Sequence, residues 1–380
     1  MERTTLSGLG RAGVGVDAGR MSRRQVLAAA AGATAGCLAA HALAAVPGAN
    51  ETSPEARPRA GAMKVGLYSI TFLGLWYRGK GLSLDEVVRR AKQHGYDGVE
   101  IDGKRPHGNP LDWPKRRCQE LRKAADGQGI DLYAVAANND FSSPIPEHRE
   151  CQVAYVRELL RMAADMGAKT LRVFLAWAGV TRHPQLGRYD ISRPLWETVH
   201  KSFSREEIWA WCREGLIETA RYAADYGVTL ALQNHNPVIT DHRDVLRMVR
   251  EVNSPSLKVC LDGGIMPDRR PETLRQAAAD VGALQVLSHF GGEFDRGADG
   301  MVRLRMPAAA GKDPEPDCNP AFVRAMRAVG YQGYIGYELC HPLPVVNGQT
   351  VGIEYAEENA RLACEYMRGL IHAQRAKTAG

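Results

Sequence analysis

The chain predicts a single α/β domain of the (β/α)8 TIM-barrel class, preceded by an export signal and a linker, and three observations predict it. Eight short apolar runs alternate with eight segments of helical period across about 310 residues. The runs are five to seven residues long, as strands buried on both faces are. No Gly-rich turn follows the first run, which disfavours an open doubly wound sheet and its phosphate site.

Candidate strands fall at 64–70 (KVGLYSI), 97–101 (DGVEI), 131–136 (DLYAVA), 169–175 (KTLRVFL), 228–233, 257–262, 284–289 and 334–338. Helical periodicity occupies segments near 83–94, 114–128, 148–166, 206–226, 241–252, 271–281, 319–329 and 353–372. Ser83, Asp241 and Asn319 stand where N-caps belong. The barrel domain therefore spans 63–372, with a short tail at 373–380.

Residues 1–44 read as a targeting segment. Ser22-Arg23-Arg24-Gln25-Val26-Leu27 resembles the twin-arginine export signal; an Ala-rich apolar run follows to Ala40, and Ala42-Leu43-Ala44 supplies a small-x-small cleavage site. Cys37 is an alternative lipidation point, although Thr34 fits that pattern poorly. Residues 45–62, rich in Pro, Ala and Glu, read as a flexible linker. The expected location is periplasmic or otherwise extracytoplasmic, with no membrane span in the mature domain.

With 44% hydrophobic and 24% charged residues, the composition is that of an ordinary globular protein. The formal charge of +6 includes a net +3 from residues 1–44, which hold five Arg against one Glu and one Asp. The remaining charge is too weak and dispersed for nucleic acid. Seven Cys follow position 37 without CxxC spacing, so buried free thiols are expected, although an oxidising compartment permits a bridge.

Two connections exceed ordinary barrel loops: Trp177–Ser204 after the fourth strand and Gly292–Asp317 after the seventh. Both belong to the C-terminal face, where barrel enzymes carry their sites. They are expected to be lids, homo-oligomer contacts or plain surface insertions.

Four strands end in polar residues: TLALQNHN in Gln233, LKVCLDGG in Asp262, LQVLSHFGG in His289 and YIGYELCHP in Glu338. On neighbouring parallel strands these would form a ring of oxygen and nitrogen donors suited to one divalent ion, Mn²⁺ foremost, with Mg²⁺, Co²⁺ and Zn²⁺ as alternatives. Such an ion, chelated by a ketone and an adjacent hydroxyl, acidifies the C–H between them and stabilises the enediolate left when a base removes the proton.

The barrel spacing, GYDGVEI at the second strand, GVTLALQNH at the fifth, LDGG at the sixth, SHFGG at the seventh and GYIGYEL at the eighth resemble the sugar phosphate isomerase/epimerase family of xylose-isomerase-like TIM barrels. The resemblance covers about 63–370. It implies one divalent metal held by a Glu, an Asp, a His or Gln and a second Glu, with the two Glu acting as acid and base on opposite faces of a sugar. Asp262, His289 and Glu338 match that set, and Gln233 departs from it.

A Gln cannot accept a proton, so a symmetric two-carboxylate epimerisation would lack one base. His235, two residues further, is the nearest replacement for catalysis beside Glu338, or else orients a ligand from behind. Further candidates for substrate binding are Arg105 and His107 after the second strand, Glu100 within it, Trp177 as a sugar-stacking platform, and Arg172, for which a structural ion pair is the preferred reading.

The expected activity is a metal-dependent isomerase or epimerase acting on a small-molecule, non-phosphorylated carbohydrate, since an exported protein seldom meets phosphorylated metabolites. A β-eliminating 3-keto-glycoside lyase or deglycosidase uses the same enediolate step and needs only one strong base plus an acid. A non-catalytic carbohydrate-binding barrel is the third reading. A DNA-repair endonuclease on the same barrel is disfavoured by Ile265, which stands where its zinc site needs a His.

Overall fold

The computed structural model describes residues 63–182, 186–305 and 316–373. The twin-arginine motif, Cys37, the linker and residues 374–380 lie outside the described residues.

Eight parallel strands close into one barrel in sequence order. They are β1 (Lys64–Tyr68), β2 (Gly98–Asp102), β3 (Asp131–Ala136), β4 (Thr170–Val173), β5 (Thr229–Gln233), β6 (Leu257–Cys260), β7 (Gln285–Gly291) and β8 (Tyr334–Glu338). Strand β1 closes the ring on β8, with Lys64 opposite Tyr334 and Leu67 opposite Tyr337.

The helices are α1 (Leu84–His94), α2 (Lys115–Gln128), α3 (Pro146–Met166), α4 (Tyr189–His200), α5 (Arg205–Tyr226), α6 (His242–Val252), α7 (Pro271–Val281), α8 (Asn319–Ala328) and α9 (Ile353–Ala373). Helix α4 belongs to the long segment after β4, where periodicity gave no signal.

Capping sets several boundaries. Ser83 and Glu86 form a reciprocal capping box on α1, and Ser204 and Glu207 repeat it on α5. Asp241 accepts from the Arg243 amide at 2.7 Å. Asn319, expected as a cap, is instead the first residue of α8; the Asp317 carboxylate accepts from its amide at 3.0 Å.

The barrel interior is layered. Tyr133, Ala231, Cys260, Leu287 and Tyr334 form an internal apolar cluster, with the Tyr133 and Tyr334 rings stacked at 3.9 Å. A Cβ on Gly336 would come within 2.7 Å of the Tyr133 hydroxyl oxygen, so a glycine there lets the ring fill the barrel axis. Strand side chains alternate, so the inward residue two positions after each cluster member lies one layer nearer the C-terminal mouth. Ala231 leads to Gln233, Cys260 to Asp262 and Leu287 to His289, which is how apolar strands deliver polar groups to one end.

The segment after β4 crosses the mouth as a docked roof. The Gly187 amide donates to the Leu75 carbonyl at 2.7 Å, and Tyr189 packs on Trp76 with ring centroids 5.0 Å apart. The Tyr189 hydroxyl donates to the Cys340 carbonyl at 2.9 Å, and His200 meets the Ser142 carbonyl at 2.9 Å. The segment after β7 contributes a hairpin, Glu293–Arg296 paired with Val302–Arg305. Phe294 seats that hairpin on α9, its amide donating to the Asn359 side chain at 2.8 Å.

All seven cysteines of the described residues are free thiols. Among the described residues no helix is long and apolar enough to cross a membrane.

Candidate active site

Five polar side chains occupy the layer below the mouth: Glu100, Arg172, Gln233, Asp262 and His289, all at most 3% exposed. Glu100 accepts from Arg172 Nε at 2.7 Å through one oxygen and meets His289 Nε2 at 2.5 Å through the other. Burial alone would raise the Glu100 pKa, but the Arg172 guanidinium and His289 pull it down to about 2. Arg172 lies against the Tyr68 ring, 4.5 Å from its centroid, and donates through Nη1 to Gln233 Oε1 at 2.7 Å.

That last bond settles the Gln233 amide. Arginine carries only donors, so the amide oxygen must face Arg172 and the NH2 group must face away. Gln233 Nε2 accordingly donates to Asp262 Oδ2. Gln233 was expected to offer its oxygen to a metal. The structure corrects this, because that oxygen is engaged by Arg172, and the residue bridges Arg172 to Asp262 instead.

Asp262 is held on all sides. Its Oδ1 accepts from the His289 amide at 2.6 Å, and its own amide and carbonyl pair with the Asn234 side chain at 2.8 and 3.1 Å. His289 Nδ1 lies 3.4 Å from Asp262 Oδ2, and Cys260 Sγ lies 3.5 Å from both Asp262 Oδ1 and His289 Nδ1. Burial opposes the His289 imidazolium, but Glu100 and Asp262 raise its pKa well above the ordinary value. Holding a divalent ion requires the neutral ring, so ion binding and protonation compete at His289.

Asp262, His289 and Glu338 line one cavity of about 280 Å³, with Cys340 and His341 at its wall. Glu338 is half-buried, and desolvation raises its pKa against the opposing pull of His289 and Arg172.

The donor set fits a divalent ion. Cys260, Asp262 and His289 offer ligand atoms within 4.8 Å of one another. The 3.4 Å between His289 Nδ1 and Asp262 Oδ2 is close to the roughly 3.0–3.4 Å that separates two donors sharing one ion at about 2.1 Å. The contact between Glu100 and His289 Nε2 is the support that a metal-binding imidazole takes from a carboxylate behind it.

The remaining expected site residues lie elsewhere. His235 follows the end of β5 and lines a second cavity, its ring edge-on to Phe174 and Trp177 at 5.1 and 5.0 Å and its Nδ1 meeting the Asn236 carbonyl at 2.6 Å. Burial lowers its pKa. Trp177 lines the same second cavity. His107 is fully buried, with Nδ1 on the Ser69 hydroxyl and Nε2 on the Leu82 carbonyl, each at 3.0 Å. Arg105 is exposed and paired with Asp112 at 2.6 and 2.8 Å. Both were expected at the substrate. The structure leaves His107 no free ring nitrogen and turns Arg105 to a surface carboxylate. Arg172 forms the ion pair preferred for it. Glu100, expected to contact substrate, instead spends its two oxygens on Arg172 and His289.

Cys260 is the functional neighbour that motif reading passed over. Its position two residues before Asp262 on the same strand face was the available signal.

Residues 88–370 match the family described as the xylose isomerase-like TIM barrel. Fructoselysine 3-epimerase of Escherichia coli O157:H7 is 24% identical over 274 residues, which cover 68% of this chain and 86% of that protein. D-psicose 3-epimerase of Clostridium cellulolyticum H10, solved with D-tagatose, superposes with a TM-score of 0.57 at 21% identity over 81% of this chain and 99% of that one. The 3-keto-D-glucoside 4-epimerase of E. coli superposes with a TM-score of 0.55 at 20% identity over 80% and 99% of the two chains. With its closed parallel barrel and a match over most of its length, this chain belongs to the xylose isomerase-like TIM-barrel family.

Proposed function

We propose that this protein is a metal-dependent isomerase or epimerase of a non-phosphorylated carbohydrate, working by proton abstraction beside a carbonyl. The observation that carries this reading is the convergence of Asp262, His289 and Glu338 on one cavity at the barrel mouth. Asp262 and His289, with Glu338 beside them, would hold one divalent ion, Mn²⁺ foremost. When bound, the ion polarises a substrate carbonyl and adjacent hydroxyl. Glu338 faces the same cavity, and its raised pKa moves it toward the range of an effective general base. Glu100 orients His289 from below, and Arg172 keeps Glu100 ionised and Gln233 turned to Asp262.

The related proteins named above are sugar epimerases, which favours catalysis over simple carbohydrate binding. One observation favours a second reading, the β-eliminating 3-keto-glycoside lyase. The Gln233 amide takes no proton, and His235, the expected replacement base, lines the adjacent cavity. Elimination needs one strong base plus an acid for the leaving oxygen, whereas epimerisation needs a proton delivered to the opposite face.

The test is deuterium exchange. The protein is incubated in heavy water with Mn²⁺ and a panel of ketoses and 3-keto-glycosides, and NMR follows the proton beside the carbonyl. Exchange with an epimer as product supports the first reading, and exchange with release of the aglycone supports the second. Absence of exchange in every substrate rejects both. Export by the twin-arginine route belongs to the same proposal; loss of periplasmic protein in an Arg23→Lys/Arg24→Lys variant checks it.

A further inference from the structure

The mouth of the barrel holds a second cavity, of about 780 Å³, beside the 280 Å³ cavity over Asp262, and Ile265 borders both. The smaller falls below the ~300–1,000 Å³ of pockets that enclose drug-sized ligands, and the larger lies well inside that range. We propose that the second cavity is a subsite for a further pyranose ring, so that the sugar acted on is a disaccharide or longer oligosaccharide; this rests on reading the smaller cavity as the site of the reacting sugar.

The walls of the second cavity carry both surfaces that a pyranose presents. Trp177, Tyr189 and Trp196 supply aromatic faces for its C–H side. Trp177 is held in place before any ligand arrives, stacked on Phe174 at 5.4 Å and 22° and braced edge-on by Tyr189 and His235. Such preorganisation reduces the ordering cost of binding. Arg193 and Glu197, four residues apart on α4, line the same cavity, and neither has a hydrogen-bond or ion-pair partner among the described residues. They offer a charged donor and a charged acceptor to ring hydroxyls. An aryl group would use the aromatic walls and leave these two charges unanswered, whereas a pyranose engages both.

The two cavities are neighbours that share Ile265 as a border, and packed side chains link their walls. Phe174 lies against Arg172 of the polar layer, 5.4 Å from ring centroid to guanidinium, and against Trp177 of the second cavity. Tyr189 spans the other side, lining the second cavity while its hydroxyl bonds to the carbonyl of Cys340, two residues past Glu338. On this proposal a two-ring sugar with its carbonyl ring over Asp262 and Glu338 sets its other ring past Ile265 against Trp177 and Arg193.

Calorimetry on the full chain with Mn²⁺ tests this, using D-fructose and two fructose derivatives that carry a second pyranose, lactulose and isomaltulose. At least one disaccharide is expected to bind about tenfold more tightly than fructose, the order that one stacked face and one charge-assisted hydrogen bond supply. That ratio should fall toward one in Trp177→Ala and in Arg193→Ala; the second change sits on the exposed side of α4 and keeps the test available if the first fails to fold. Disaccharides that bind no better than fructose, or a ratio unchanged in the folded variants, would overturn the subsite. Deuterium exchange separates this from the reading it rests on. A disaccharide preference that both variants abolish, without exchange, upholds the subsite and sinks the isomerase. Exchange into fructose with no disaccharide preference does the reverse.

Discussion

On β2, β4 and β5 the polar residues of the mouth are held by hydrogen bonds around Arg172, whereas on β6, β7 and β8 they face a cavity. Glu100, Arg172 and Gln233 form a chain in which the guanidinium donates to one carboxylate and one amide oxygen, and its two ends bond to His289 and Asp262. Asp262, His289 and Glu338 border open volume. The two halves share strand alternation and depth, so their difference comes from a single cation. Arg172 absorbs the acceptors of its half, and the other half has no arginine to do so. The polar groups left facing the cavity are thereby confined to three strands, and the opposite half packs behind them.

The largest expected effect comes from the open half. Asp262→Asn should cost roughly a hundredfold or more in divalent-ion affinity, beyond the 10–100-fold loss typical of residues that merely support a ligand; calorimetry with Mn²⁺ measures it, and unchanged affinity would remove Asp262 from the site. Arg172→Met tests the closed half. It leaves Glu100 buried beside His289 without its cation, so stability in urea denaturation should fall by about 3–5 kcal/mol. A smaller loss would mean that His289 alone can hold Glu100.

Next in size is a pH effect. His107 is buried and neutral, its pKa lowered by desolvation to about 4. An unfolded histidine titrates near 6.5, so between about 4 and 6.5 the unfolded chain binds more protons and stability falls as pH falls. The contribution is fully present above 6.5, is lost on acidification through that window, and is worth up to about 3 kcal/mol. In His107→Gln the stability profile should flatten between those pH values, while sugar binding should not change.

Gln233→Glu converts the bridge into a second carboxylate next to Asp262. Divalent-ion affinity should rise by about tenfold, and the metal-free protein should lose stability from two adjacent carboxylates. Neither change would be seen if Arg172 simply captured the new carboxylate. The smallest effect is expected at Arg105→Ala, which removes an exposed ion pair with Asp112 and should alter neither stability nor KM measurably. A raised KM would return Arg105 to the substrate.

The barrel and the polar strand ends of its open half were legible because they depend on local pattern. Strand alternation and helical period are visible in a single window, and they place Asp262, His289 and Glu338 at consecutive strand ends without knowledge of any distant residue. Helix α4 escaped, since Pro194 interrupts its period and its apolar Leu195 and Val199 are exposed while Ser192 and His200 are buried. The destination of the Gln233 oxygen was equally hidden, because it is set by Arg172, 61 positions earlier in the chain.

The sequence by itself determined the eight-stranded barrel, the mouth as the place for polar groups, and the three polar strand ends that face the cavity, since each follows from residue type and spacing along one strand. Only the tertiary structure decided which polar groups were already satisfied. It joined Glu100 to His289 across 189 positions, turned Gln233 away from ligation, sent His235 and Trp177 to a second cavity and set His107 into the core. The physical reason is that a hydrogen-bonding group is committed by whichever donor or acceptor folding brings within about 3 Å of it, and that partner can lie anywhere in the chain.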